Sequence, residues 1–313
     1  MRTNPDIETQ TQTNPTANKN TSVSTNAKVD SATGVLPKRS ISVGGILLQI
    51  FLIIVAIIQV YPLIWLAFFS LKDNSEIFGG GVLGFPKQFL WSNYSRALSE
   101  GHVFSYFLNS VFVTTVSIVL VLILSSMTGY AITRMKWKLS NATMTMILLG
   151  MMVPIHAALL PLFMVLKNLS LLNSYWALII PYVAFGIPMG VFIIGSFFKG
   201  IPRELEEAAV IDGCGVYKTF LLIVLPLVKS AIATVAIFTF LSCWNELMFA
   251  VTFINDIKFQ TLTVGMMSMV GTYITQWGII GAGLMITTIP TVGIYLLLNK
   301  QVQNSMIAGA IKG

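Results

Sequence analysis

What this chain lacks above all is charge. Only 10% of its 313 residues are Asp, Glu, Lys or Arg, whereas a soluble domain carries about 25%. With a hydrophobic fraction of 55% and a mean hydropathy of +0.79, the deficit excludes an ordinary soluble core and points to several membrane spans. Cysteine is equally scarce. Cys214 and Cys243 lie far apart without metal-ligand spacing, and both read as small apolar fillers that say nothing about redox compartment. Motifs of catalysis are missing too. There is no Gly-Lys dipeptide, so no phosphate-binding P-loop can be drawn, and no His-Glu-x-x-His or nucleophile elbow. The chain is therefore expected to bind no cofactor or metal of its own and not to be an enzyme. No short apolar stretch ends in a small-residue cleavage site, so the first apolar run is expected to act as an uncleaved anchor.

What is present is a series of long apolar runs. Residues 1–42 precede them, rich in Asn, Thr and Ser, and are expected to be disordered, because they bury too little to offset chain entropy. Six runs follow, at about 43–71, 106–133, 143–166, 175–198, 227–254 and 277–299. Each has about twenty residues or more with few charges, the length a membrane helix needs. Pro154 and Pro161 in the third run, and Pro181 and Pro188 in the fourth, are expected to kink or break those helices. The predicted class is an all-α membrane protein with six transmembrane helices. The domains are a tail at 1–42, a membrane domain at 43–300 and a C-terminal tail at 301–313.

Six spans put both termini on one side. With the N-terminus inside, all but five of the 19 Lys and Arg residues fall on the inner side, the exceptions being Lys72, Lys87, Arg96, Lys167 and Lys258. The positive-inside rule then places both termini and the 199–226 loop in the cytoplasm. The net charge of +7 is accounted for by these flanking cations, and nucleic acid is not expected as a partner.

The 199–226 loop is a polar island in a very apolar second half. Pro202 suits the first position of a helix, and Glu204, Glu206 and Glu207 complement its N-terminal dipole. Ala208 and Ala209 leave a thin surface that another backbone can approach, and Asp212-Gly213 breaks the helix. A second short helix at about 216–224 is expected to stop near Pro226.

Glu207-Ala208-Ala209, then Gly213, then Leu225-Pro226 resemble the EAA signature of ABC-importer permease subunits. The longer run IPRELEEAAVIDG and Trp244-Asn245-Glu246 resemble the carbohydrate branch, of the maltose-system type. So do Ser70-Leu71-Lys72 with Glu76-Ile77-Phe78, Ala131-Ile132-Thr133-Arg134 with Trp137, and Ala308-Gly309-Ala310-Ile311-Lys312-Gly313. The resemblance covers roughly 46–313, and Cys214-Gly215 departs from it by small replacements.

The resemblance implies a type I importer transmembrane domain in a prokaryotic inner membrane, with residues 199–226 as its coupling loop. It implies an ATPase dimer, which holds ATP and Mg, docked at Glu207, Ala208, Ala209, Asp212, Gly213, Leu225 and Pro226. A charge-assisted contact of Glu207 with a basic group there is worth about 1.5–3 kcal/mol. It also implies a second homologous permease, an extracytoplasmic solute-binding protein, a sugar substrate and surrounding lipid. An importer of a non-sugar solute remains open. A secondary transporter is the reading from another class, although no clear internal repeat is visible.

Glu246 is the acid set well inside an apolar run. At the bilayer centre it would cost roughly 2.5–3.5 kcal/mol, so it must face protein or water. With Trp244 and Asn245 it reads either as a gate or cavity wall for a polar substrate, or as an interhelical hydrogen bond. His156 has no evident relay partner nearby and reads as a packing or cavity residue. Tyr175, Trp176 and Tyr182 read as interfacial anchors or as stacking platforms for sugar rings. Segment 255–276 resembles the loop that, in maltose-type partners, reaches the binding protein, and is otherwise a connector.

Overall fold

The computed structural model describes residues 43–271 and 275–310, with the side chains of 298–310 left aside. The expected disordered tail at 1–42 lies outside the described residues. The chain falls into two units, 1–54 and 55–313. Within the first, the described residues form the opening half of helix α1 (Val43–Phe69), and their side chains are exposed on every side.

The described residues of the second unit form helices joined by turns and irregular loops, with no strand among them. After α1 come a short turn at Asn74–Glu76, α2 (Ser92–Ser99) and the long α3 (Val103–Thr133). At 1.5 Å per residue α3 is about 46 Å long, enough to cross a hydrocarbon layer of roughly 30 Å with tilt. The third run is broken. It forms α4 (Ser140–Gly150), a 3₁₀ turn at Ile155–Ala158 and α5 (Leu159–Asn168), with an 88° bend between the halves. Pro154 causes the break: it has no N–H, and its ring keeps Val153 out of the helical region.

The fourth run corrects the expectation from its prolines. Helix α6 (Trp176–Lys199) is continuous through Pro181 and Pro188. It is also the most enclosed span, with 56% of its apolar window buried. A proline is tolerated in a span where neighbouring helices surround it. Small residues make that enclosure tight: a Cβ on Gly186 would meet Val121 at 2.7 Å, and one on Gly190 would meet the Ser125 Oγ at 2.3 Å. This is the small-xxx-small approach by which helices associate in lipid, where van der Waals packing replaces the hydrophobic drive.

Beyond α6 lie α7 (Glu204–Ile211), α8 (Val216–Leu227), α9 (Lys229–Trp244), α10 (Met248–Phe253), α11 (Leu262–Ser268) and α12 (Trp277–Ala310). Helix α8 stops at Leu227, next to Pro226 as expected, and a 77° bend at Val228 joins it to α9. The fifth run is therefore not one helix over 227–254. It bends at its start and breaks again at Asn245–Leu247. The four long apolar helices are α1, α3, α6 and α12, and the two bent pairs bring the possible spans to six. The core is shared by α3, α6 and α9, through Val121, Ile179, Ile194, Phe198 and Val235. Segment 255–271 folds back as a 3₁₀ turn and α11. Asn109 holds the Lys258 and Gln260 carbonyls at 2.9 and 2.8 Å, and the Ser110 hydroxyl accepts the Leu262 N–H at 2.8 Å.

Candidate functional site

Two places concentrate the polar groups of this unit. The first is the α7 region. Its helix starts at Glu204, so Pro202 stands two residues before it rather than at its first position. It ends as its sequence dictates. Gly213 adopts φ +78, its N–H reaches the Val210 carbonyl at 3.0 Å, and the Cys214 N–H reaches the Ala209 carbonyl at 2.8 Å. This is a Schellman close, which glycine enters without a Cβ penalty. The helix packs against the turn Thr219–Val224 of α8.

Arg134, at the end of α3, holds α7 from behind. Its Nε donates to the Glu206 Oε1 at 2.5 Å, and one terminal nitrogen donates to the Phe198 and Ile201 carbonyls at 3.2 and 2.9 Å. Tyr130 adds a hydrogen bond from its hydroxyl to the Glu206 Oε2 at 3.3 Å. The Arg134 side chain is only 4% exposed and that of Glu206 19%. One guanidinium thus ties three segments together: the end of α3, the carbonyl end of α6 and the first turn of α7. Removing one partner of a pair this enclosed costs about 3–5 kcal/mol, because it strands the other charge.

The neighbouring acids point elsewhere. Glu204 and Glu207 are exposed, as are Ala208, Asp212 and Gly213, while Ala209 is 3% exposed and faces the bundle. So of the two alanines only Ala208 presents a thin surface. Leu205, Ile211 and Tyr217 are large apolar side chains left open to solvent around it. Leu225 is half-buried against the core and Pro226 is exposed beside the bend into α9. These two residues shape the exit of the loop rather than its exposed helix. Sequence reasoning counted Arg134 as a flanking cation and as the last residue of the Ala131–Arg134 motif, without a role at the α7 site. Its signal was its position at the end of the second run, on the same side as three acids. Spacing could not tell which acid it takes.

The second place is the break between α9 and α10, and it separates three consecutive residues. Glu246 turns back onto α10: its Oε1 accepts the Phe249 N–H at 2.7 Å and its Oε2 the Ala250 N–H at 3.1 Å. The Tyr182 hydroxyl donates to Oε2 at 2.8 Å, linking α6 to the break. The carboxylate therefore satisfies two orphan amides of a helix start as well as an interhelical bond. It also lines a largely apolar cavity of about 120 Å³ with Tyr182, Phe185, Cys243, Phe249 and Ile155.

Trp244 and Asn245 look the other way, into a cleft of about 400 Å³ whose wall includes Thr263, Thr287, Thr288 and Thr291. Trp244 is buried, with its indole N–H on the Thr287 carbonyl at 3.4 Å, while Asn245 is exposed. Of the aromatic candidates, Tyr175 is held by Asn109 at 2.8 Å. His156 is exposed in the 3₁₀ turn of the broken third run, so of its two readings, packing or cavity residue, packing does not hold. Among the described residues no cluster of His, Cys, Asp and Glu is arranged to hold a metal.

Residues 122–304, more than half of the chain, match the family described as the binding-protein-dependent transport system inner membrane component. The chain belongs to that family. This permease is 34% identical over 277 residues to the probable ABC transporter permease protein YurM of Bacillus subtilis, covering 88% of this chain and 92% of the relative. It is 32% identical to the diacetylchitobiose uptake system permease protein NgcG of Streptomyces coelicolor (83% and 87% covered). It is 34% identical to the trehalose/maltose transport system permease protein MalG of Thermococcus litoralis (86% and 97% covered).

The permease also shares its fold with a solved bacterial ABC transporter involved in the import of the polysaccharide alginate. The TM-score is 0.74 at 23% identity, over 84% of this chain and 97% of that one. It is an all-α membrane protein of the ABC-importer type, a class that works with an ATPase and a solute-binding protein. The matched segment contains Arg134, the whole α7 loop and Trp244 to Glu246.

Proposed function

We propose that this permease forms half of the transmembrane path for a sugar or oligosaccharide, paired with a second homologous permease. Transport is driven by a cytoplasmic ATPase dimer that docks on α7. The observation that carries the reading is the division of labour among the α7 acids. Glu206 is bound inward to Arg134, and Glu207 is left exposed beside Ala208, Leu205 and Ile211. A helix tied at its back to α3 and α6 and open at its front can pass a push from a docked protein to two spans at once. ATP and Mg belong to that partner, and the permease itself performs no catalysis. Both termini lie in the cytoplasm of a prokaryotic cell and the loops bearing Lys87, Lys167 and Lys258 outside, in accord with the charge bias.

The sugar assignment draws on the relatives, named for diacetylchitobiose, trehalose/maltose and arabinooligosaccharides. The cleft beside Trp244, with Asn245 and the three threonines of α12, suits such a cargo, since neutral hydroxyls and amides bind sugar without charge. Glu246 serves this path indirectly, by holding the α9–α10 break open. The test is Glu207→Lys in the assembled importer. Binding-protein-stimulated ATPase activity and uptake are expected to fall at least tenfold, or the ATPase to be lost on purification. Normal uptake with normal co-purification of the ATPase would refute the docking role. Binding of a sugar panel to the cognate binding protein tests the cargo, and an exclusive preference for a non-sugar solute would refute it.

A further inference from the structure

Among the large fully buried side chains of the described residues is that of a lysine just beyond α1. Lys72 is 0% exposed, and its Nζ donates to the carbonyls of Gly81 at 2.5 Å, Gly84 at 2.6 Å and Val82 at 3.2 Å. Among the described residues no carboxylate lies within ion-pair distance of it. The segment it holds is a glycine-rich irregular loop, Ile77 to Gly84, with Gly80 at φ +92. The base of the loop is stapled as well. The Asn93 amide donates to the Ser70 and Lys72 carbonyls, each at 2.9 Å, and the Leu90 N–H to the Leu71 carbonyl at 2.9 Å.

What the loop shows outward is apolar. Phe78, Leu83, Phe85, Phe89 and Trp91 are each between 57% and 76% exposed. An apolar cluster of this kind is unfavourable in water and marks a surface that something covers. Its place in the fold says what. The Trp65 indole N–H donates to the Val82 carbonyl at 3.1 Å, and the Phe85 ring lies 4.6 Å from that of Phe68. Trp65 and Phe68 belong to the last two turns of α1, a span whose residues from Val55 to Ile64 are exposed apolar side chains apart from Gln59. The loop thus folds back alongside the end of a membrane helix instead of rising away from it.

Irregular backbone is tolerated at that depth only where its polar groups are satisfied from within. Lys72 and Trp65 meet that condition at three of the four carbonyls from Gly81 to Gly84. The polar side chains of the loop gather separately, around a cleft lined by Asp73, Ser75, Glu76, Lys87 and Gln88. There the Glu76 N–H and then the Ser75 hydroxyl hold the Asp73 carboxyl below its ordinary range, so it stays ionised.

We propose that residues 77–91 are an amphipathic loop seated in the headgroup–acyl boundary of the leaflet at the C-terminal end of α1, with Lys72 as its internal hydrogen-bond donor. Under the orientation proposed above this is the outer leaflet. Aromatic side chains favour that zone, and the loop anchors the outer end of α1 there.

The test uses the full importer reconstituted in phosphatidylethanolamine–phosphatidylglycerol vesicles. A nitroxide is placed at Phe85→Cys, or at Leu83→Cys where the first variant does not assemble, in a Cys214→Ser, Cys243→Ala background. The same label at Ser75→Cys serves as the aqueous control. The label at position 85 is expected about 5–10 Å below the phosphates, more accessible to oxygen than to a water-soluble nickel chelate, and unchanged by the binding protein. Nickel accessibility equal to that at position 75 would overturn the proposal. Protection from both reagents would do the same, because it would mean protein covers the loop. So would a response that depends on the binding protein. In Lys72→Met the label is expected to move toward water, with partial return in Lys72→Arg. No change in Lys72→Met would refute the lysine's role.

Discussion

The two ends of this membrane domain solve one problem in opposite ways. At each end an irregular stretch of chain is organised by a buried cation, Arg134 under α7 and Lys72 under the 77–91 loop. Arg134 has an anionic partner, Glu206, from another segment, and it also binds carbonyls of a third. Lys72 has only carbonyls, all within twelve residues of itself. The first arrangement ties separate elements into one body, so that a displacement of α7 is felt by α3 and α6. The second closes a loop upon itself, and its three bonds stay within one segment. A planar guanidinium serves several segments at fixed angles, while a compact ammonium collects carbonyls from one turn.

Mutations can break this comparison. The largest effect is expected from Arg134→Ala, which strands Glu206 and frees the carbonyls of Phe198, Ile201 and Pro202. A loss of about 3–5 kcal/mol would show as a lower denaturation midpoint of the purified permease and reduced coupled ATPase activity. Arg134→Lys keeps the charge but not the fork, and is expected to recover only part of both. Glu206→Gln keeps the shape and loses the charge, so a destabilisation of about 1.5–3 kcal/mol is expected from the weaker bond. The companion Glu207→Gln should leave the midpoint within about 0.5 kcal/mol while lowering ATPase-coupled uptake. Equal midpoints for the 206 and 207 variants would erase the inward–outward division of α7.

Glu246→Gln should cost about 1–2 kcal/mol, through weaker capping of α10, with the loss read by thermal denaturation in detergent. Gly213→Ala is expected to have the most local effect, about 1–2 kcal/mol confined to the α7 end. Hydrogen exchange should rise at Gly213 and Cys214 without change in the α3–α6 core.

Much of this was legible beforehand. Six apolar runs, the polar island between the fourth and fifth, and its break at Gly213 are all local properties. They follow from hydropathy, span length and the special φ of one glycine, and the structure shows them at nearly the expected places. The prolines were harder, since Pro154 breaks a span and Pro188 does not. The difference lies in what surrounds each. Residues 151–157 are exposed, whereas α6 is wrapped by α3 and α9, whose packing holds the helix through its missing hydrogen bonds.

The candidate sites divide along the same line. Sequence by itself determined that this is a multi-pass α-helical permease with an acidic helix set between two spans, because chain-local chemistry suffices for that. It did not decide that Glu206 turns inward and Glu207 outward, that Ala209 is buried beside an exposed Ala208, or that Glu246 parts company with Trp244 and Asn245. Helical rotation puts adjacent residues about 100° apart, so the rotation of the whole helix about its axis determines which one meets a guanidinium some seventy residues earlier and which one meets solvent. Only the tertiary structure sets that angle, since it depends on where the end of α3 places the Arg134 guanidinium against Glu206 and the Phe198 and Ile201 carbonyls.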